Sequence, residues 1–183
     1  MINGQSVLGV IPARGGSKRV PGKNLKSYKG KSLLAWSVEA ARQSQYLDYF
    51  CISSESDEIL RQAAALKVEA LRRPDWLATD KAMNEGVLVH VLYTWKWADW
   101  IVLLQPTSPM RTGADIDTCI ERAQMGNGCV SYNEHGRRNG AVYVARSTDL
   151  VSRIEFAKET LDQFLLMPNE RSLDIDYAVD FAI

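Results

Sequence analysis

The run Val7-Leu8-Gly9-Val10-Ile11 contains no polar side chain. An unbroken apolar stretch of this length reads as a strand covered on both faces, the situation of a parallel sheet. It passes directly into Pro12-Ala13-Arg14-Gly15-Gly16, and no acidic residue occurs before Glu39, while Arg14, Lys18, Arg19, Lys23, Lys26, Lys29 and Lys31 all fall in that interval. Glycines let backbone N–H groups come close to an anion, and arginine and lysine supply the countercharge. A buried strand that opens into such a loop therefore limits the fold and the ligand together, and a polyphosphate is the natural occupant.

The remaining pattern alternates. Residues 32–43 place Leu33, Leu34, Trp36, Val38, Ala40 and Ala41 at mostly helical spacing, and residues 49–53 return to strand character. Residues 57–66 read as a helix through Ile59, Leu60, Ala63 and Ala64, and Val87, Leu88, Val91 and Leu92 mark another that Asn84 could cap. Trp100-Ile101-Val102-Leu103-Leu104 reads as a central strand stopped by Pro106 and Pro109, followed by a helix that Thr112 caps and that Gly126 and Gly128 end. Residues 128–132 and 140–144 read as two short strands with a polar, basic link between them. Alternating strands and helices predict an α/β fold with a mostly parallel central sheet and helices on both faces. Ligands in such sheets lie beyond the carboxyl ends of the strands, which points to the loops after Ile11, Ser53 and Leu104.

The chain has 183 residues and is 46% hydrophobic, which fits one domain spanning 1–183 with a substantial core. Its 22 basic and 22 acidic residues cancel, so no global field favours nucleic acid or an anionic membrane. Cys51, Cys119 and Cys129 lack metal or disulfide spacing and read as reduced core thiols. No apolar run approaches the roughly 20 residues needed to span a bilayer, and a cytoplasmic location is expected. His90 reads as packing, His135 as loop, and Trp95, Trp97 and Trp100 as core or interface.

Two familiar phosphate motifs fail. In G-x-x-x-x-G-K-[ST], Ser17 occupies the first glycine position and Asn24 the hydroxyl position, and G-x-G-x-x-G is absent. The segment Ile11-Pro12-Ala13-Arg14-Gly15-Gly16-Ser17-Lys18-Arg19-Val20-Pro21-Gly22-Lys23-Asn24 instead resembles the nucleotide loop of sugar cytidylyltransferases, above all the acylneuraminate (CMP-sialic acid synthetase) branch. The resemblance continues through Arg73-Pro74, Leu77-Ala78-Thr79-Asp80, Leu103-Leu104-Gln105-Pro106-Thr107-Ser108-Pro109-Met110-Arg111, Asn139-Gly140-Ala141-Val142-Tyr143 and Arg171-Ser172-Leu173-Asp174-Ile175-Asp176. These blocks stand in the family's order and cover most of the chain.

The resemblance implies a Rossmann-like nucleotide-diphospho-sugar transferase fold and transfer of CMP from CTP to an acidic 2-keto sugar, with release of pyrophosphate. It implies that Arg14, Ser17, Lys18, Lys23 and Asn24 surround the triphosphate, Arg14 and Lys23 meeting the charge of the transition state, while Arg73, Ala82 and Asn84 form the cytosine pocket. Asn84 stands where a small hydroxyl residue is usual, and it either reads the base or caps its helix. Gln105, Arg138 and Asn139 are implied for the sugar, with Arg137 an alternative to Arg138 for its carboxylate. Asp174 and Asp176 alternate, so an extended chain puts both on one side as hard ligands for Mg2+. Arg111 reads equally as structural or functional.

Between Ser131 and Asn139 the chain has only Tyr132-Asn133-Glu134-His135-Gly136-Arg137-Arg138, where the family carries a longer segment that helps to build the sugar pocket and the dimer arm. The acceptor and a homodimer are therefore both left open by the sequence. Two other classes remain beside the synthetase, a GT-A-like glycosyltransferase that also uses D-x-D and a non-catalytic nucleotide-binding relic.

Overall fold

The computed structural model describes residues 1–153 and 161–183. The chain enters through β1 (Val7–Pro12), a small hairpin of β2 (Ser27–Tyr28) and β3 (Lys31–Ser32), and α1 (Leu33–Gln43). It continues through β4 (Tyr49–Ser54), α2 (Asp57–Ala65), β5 (Ala70–Arg72), α3 (Asn84–Thr94), β6 (Trp100–Leu103) and α4 (Gly113–Ala123). β7 (Gly128–Tyr132), β8 (Arg138–Arg146), α5 (Ser147–Arg153) and β9 (Gln163–Leu166) complete it. Seven strands form one sheet in the order β5-β4-β1-β6-β8-β7-β9. β1 pairs in parallel with both β4 and β6, β5 with β4 and β9 with β7; only β8 is antiparallel to its neighbours.

The two-residue period of the strands divides the core. Val7 and Ile11 of β1, with Ile52, Trp100 and Val102, face α1, α2 and α4, where Leu34, Val38, Ile59, Ile116 and Ile120 are buried. Leu8 and Val10, with Cys51, Ile101 and Leu103, face α3 and α5 through Leu88, Val91, Leu92 and Leu150. Helices thus cover both faces, as expected for continuously apolar strands. All three cysteines are free and buried, and burial pushes the Cys51 thiol up to about 12.

Local chemistry sets the helix starts. Ser32 caps α1 by accepting from the Ala35 N–H at 3.1 Å, and Ser56 does the same for α2. Thr112 forms a capping box with Asp115 at α4, as its sequence position predicts. Asn84 is not a cap: it is the first helical residue of α3, Met83 precedes it, and no side chain caps that end.

The basic link 133–137 is the turn of a hairpin, closed where Asn133 N–H donates to the Arg137 carbonyl at 2.8 Å. β8 is longer than residues 140–144 and sits inside the sheet against β6. Its pairing with β7 jumps between Val130↔Tyr143 and Tyr132↔Arg138, so residues 139–142 form an irregular bulge opposite Ser131. Among the described residues no helix is long and apolar enough to cross a membrane.

Candidate active site

Successive connections run to one side of β1 and then return to β6 on the other, so the strand order reverses between these two central strands. A cleft of about 530 Å3 opens at their carboxyl ends. Its wall includes Arg14, Ser17, Lys18, Lys23 and Asn24 from the loop after β1, Arg73, Ala82 and Asn84 from the segment leading into α3, Gln105 and Thr107 after β6, and Asp176. Ten of the residues singled out from the sequence therefore meet in one place, although they are spread from position 14 to 176.

The cations of the loop are already matched by carboxylates. Arg14 Nη1 donates to Asp80 Oδ1 at 2.8 Å, and Lys18 Nζ lies 2.5 Å from the other Asp80 oxygen. The Lys18 and Arg14 hydrogen bonds hold the Asp80 carboxyl below its ordinary range. On the facing side Lys23 Nζ donates to Asp176 Oδ1 at 2.9 Å and to the Ile175 carbonyl at 3.0 Å, while Arg19 reaches Asp176 Oδ2 at 3.0 Å. Desolvation alone would raise the Asp176 carboxyl, but the Lys23 hydrogen bond and charge, joined by Arg19, outweigh it and leave it lowered. Asn24 is buried and its amide donates to the Arg14 carbonyl at 2.9 Å, latching the loop onto itself.

The two alternating aspartates straddle buried Ile175, whose N–H donates to the Thr107 carbonyl at 2.7 Å. Asp176 lines the cleft, whereas Asp174 is not part of its wall and acts electrostatically on the Tyr143 phenol. Desolvation raises the Asp174 carboxyl, against a Thr107 hydroxyl hydrogen bond that lowers it. Among the described residues no group of three or more His, Cys, Asp or Glu is placed to hold a metal ion. Two carboxylates on one short segment, facing a phosphate loop, nevertheless fit a hard divalent cation that takes its other oxygens from phosphate and water.

The sugar-side residues are less uniform. Gln105 lines the cleft. Arg138 begins β8 with its guanidinium 6.0 Å from the Tyr143 ring centroid and is not part of the cleft wall. Asn139 is buried, and its amide is consumed within the protein: Oδ1 accepts from Ser131 Oγ at 2.6 Å and from the Ala141 N–H, while Nδ2 donates to Ser172 Oγ at 3.2 Å. It pins the bulge and has no free amide group to offer a sugar. Arg111, left undecided by the sequence, is structural: buried at 3% exposure, it donates to the carbonyls of Ala141 and Gln105 and to Ser37 Oγ.

Several groups that complete this site have no role assigned from the sequence. Asp80, Thr107 and Asp176 lie in recognisable blocks, but only contact assigns Asp80 and Thr107 their partners. Asp180 accepts the N–H groups of both Asp176 and Tyr177 at 2.7 Å, fixing the turn that aims Asp176. Glu55, after β4, receives Gly15 and Arg73.

A three-layer α/β sheet with a cationic glycine loop at its switch point and Asp176 facing it is the architecture of a nucleotide-binding enzyme, and its family and relatives make it a nucleotidyltransferase that forms CMP-sugars. A cytidylyltransferase family model matches residues 8–176, and this chain belongs to that family. It is 29% identical to CMP-N,N'-diacetyllegionaminic acid synthase of Legionella pneumophila, over 97% of this chain and 94% of that one. It is 28% identical to N-acylneuraminate cytidylyltransferase of Escherichia coli over 97% of its length, spanning about half (51%) of that larger protein. In structure it is similar to CMP:2-keto-3-deoxy-manno-octonic acid synthetase complexed with CTP, with a TM-score of 0.78 at 16% identity, covering 96% and 95% of the two chains. A Mycobacterium tuberculosis protein solved in complex with manganese superposes with a TM-score of 0.73 at 18% identity, covering 97% of each chain.

Proposed function

We propose that this chain transfers CMP from CTP to an acidic 2-keto sugar of the sialic acid class, with Mg2+ as its divalent cation. The observation that carries this reading is the meeting, in one cleft, of Arg14, Lys18 and Lys23 with Asp176, next to a pocket walled by Arg73, Ala82 and Asn84. The names of the legionaminic and acylneuraminic acid relatives support the acceptor class.

In this reading Arg73 and Asn84 hold the cytosine edge, and Arg14, Ser17, Lys18, Lys23 and Asn24 take the phosphates. A sugar hydroxyl attacks the α-phosphorus as the bond from that phosphorus to the bridging oxygen breaks, and pyrophosphate leaves. Water beside the Asp174–Asp176 pair accepts the hydroxyl proton. Arg14 and Lys23 meet the charge that develops on the departing phosphates, which in a water-poor cleft is the dominant source of rate. A Mg2+ held by Asp174 and Asp176 would supply further charge neutralisation at the phosphates. Gln105 and Arg138 orient the sugar, Arg138 toward its carboxylate, since a carboxylate leaving water needs a bidentate cation.

A pyrophosphate-release assay with CTP and a panel of 2-keto sugar acids tests this directly. Release that requires both CTP and one acid of the panel is expected. Release with neutral sugars only, or with no panel member, would overturn the acceptor assignment.

A further inference from the structure

We propose that Glu55 is a positioning residue that ties the phosphate loop to the buried arginine of the base pocket, so that one carboxylate sets the geometry at both ends of the bound nucleotide. This rests on the nucleotide-binding reading above, and it concerns a side chain that lies behind the cleft, outside its wall.

The two oxygens of Glu55 have separate tasks. Oε1 accepts from the Gly15 N–H at 2.7 Å, in the middle of the cationic loop. Oε2 accepts from Arg73 Nε and Nη2 at 3.2 and 3.0 Å, the paired approach that fixes a guanidinium in its plane. Arg73 has a side chain only 3% exposed and Glu55 one 16% exposed, so the pair is shielded from solvent. A buried guanidinium without its partner is strongly disfavoured. Desolvation already holds the Arg73 guanidinium below its ordinary value, and the nearby Arg14 charge adds to that. Glu55 is thus what allows two arginines to stand side by side, one facing the base and one the phosphates.

The backbone around Glu55 is held on every side. Ser54 at the end of β4 has its carbonyl occupied by the Arg73 N–H at 3.0 Å, the Glu55 carbonyl accepts from Arg72 Nη1 at 2.9 Å, and Ser56 caps α2. The other partner is equally constrained. A Cβ on Gly15 would lie 2.8 Å from the Ser56 Cβ, so only glycine brings its N–H to Glu55 at this depth. Movement at either end must therefore pass through this carboxylate.

The test separates the two oxygens. Glu55→Gln keeps an acceptor for Gly15 but turns an uncharged amide toward Arg73; Glu55→Asp keeps the charge for Arg73 but falls one methylene short of Gly15. Binding of CTP, UTP and inorganic tripolyphosphate is measured by calorimetry for each, with hydrogen exchange of the Gly15 amide in the nucleotide-free protein. For Glu55→Gln we expect CTP to weaken about tenfold or more and the CTP-to-UTP preference to narrow, with tripolyphosphate within about twofold of wild type and Gly15 exchange unchanged. For Glu55→Asp we expect the reverse: preserved base preference, weaker tripolyphosphate and faster Gly15 exchange. Each variant reads one arm independently, so the loss of either to misfolding leaves the other decisive. If base preference and tripolyphosphate affinity fall in proportion, or neither changes, while wild type discriminates CTP from UTP, this proposal alone is overturned. Wild-type protein that does not distinguish the two nucleotides would overturn the base-pocket reading and the coupling with it.

Discussion

Lys23 Nζ and the Asp176 carboxylate stand 2.9 Å apart although 153 residues separate them in the chain. One belongs to the glycine-rich loop after β1, the other to the segment with the paired aspartates. Their contact pairs the two charges across the cleft, and in the proposed function a triphosphate with its cation competes for both. Each side chain is consequently needed more for the reaction than for the fold. Lys23→Ala and Asp176→Asn are each expected to lower kcat by about two to three orders of magnitude. Asp176 is partly exposed, so for Asp176→Asn the loss of stability should be about 1 kcal/mol or less, and in Lys23→Ala the Asp176 carboxylate keeps Arg19 as a partner. Steady-state kinetics beside urea denaturation distinguishes this from a structural defect, which would move both measurements together.

Turnover should require a divalent cation. Among the described residues no third carboxylate, histidine or cysteine joins the pair, and two carboxylates bind such an ion firmly only when phosphate oxygens complete its shell. Treatment with a chelator should abolish pyrophosphate release and added Mg2+ restore it, whereas the Asp174→Ala, Asp176→Ala double variant should stay inactive at any Mg2+ concentration while keeping its circular dichroism spectrum. Turnover by that double variant in chelator would remove the metal from the mechanism.

Gly140 sits at φ +73° in the bulge of β8, and a Cβ there would overlap the side-chain oxygen of Gln105. Gly140→Ala should therefore cost about 1–3 kcal/mol of stability through backbone strain. It should also push Gln105 off its position in the cleft. The expected kinetic result is an acceptor KM raised several-fold with the KM for CTP unchanged, because in the proposed function Gln105 serves the sugar and the loop after β1 serves the nucleotide. An equal rise in both would place Gln105 on the nucleotide instead.

Asp99 offers a pH test away from the site. Hydrogen bonds from the Ser6 N–H and hydroxyl, each 2.8 Å long, hold its carboxyl below the ordinary value. A carboxyl lowered by folding stabilises the native state above its unfolded pKa, and the contribution disappears as pH falls through the folded value. Asp99 is exposed, so solvent screening limits the gain to about 1 kcal/mol or less. Asp99→Asn should lower stability slightly at pH 7, and the difference from wild type should vanish below pH ~3 in urea melts. A difference that grows on acidification would contradict this assignment.

Much of the frame could be read from residue order. Continuous apolar runs fixed β1, β4 and β6, and local hydrogen-bonding chemistry placed Thr112 at a helix start, while the Ser32 and Ser56 caps emerged only in the structure. β5, β9 and the β2–β3 hairpin escaped notice because they are short and owe their conformation to neighbouring strands or to one another, with little pattern of their own. The long bulged β8 was shortened for a related reason. Its irregularity is held by Ser131 and Arg111, which are remote in sequence from the positions they stabilise.

Residue order alone determined which groups were available: a glycine loop with seven cations, two alternating aspartates, and apolar periods that force an α/β sheet. Those properties are local, because propensity and periodicity act within a few residues. Tertiary structure alone decided which charges touch. It turned Asn139 inward to saturate the bulge, left Asn84 on the cleft wall rather than on a helix cap, and brought Asp80, Glu55 and Asp176 to the cations. Electrostatic pairing depends on separation in space, and a sheet that reverses its order between β1 and β6 sets that separation without regard to distance along the chain.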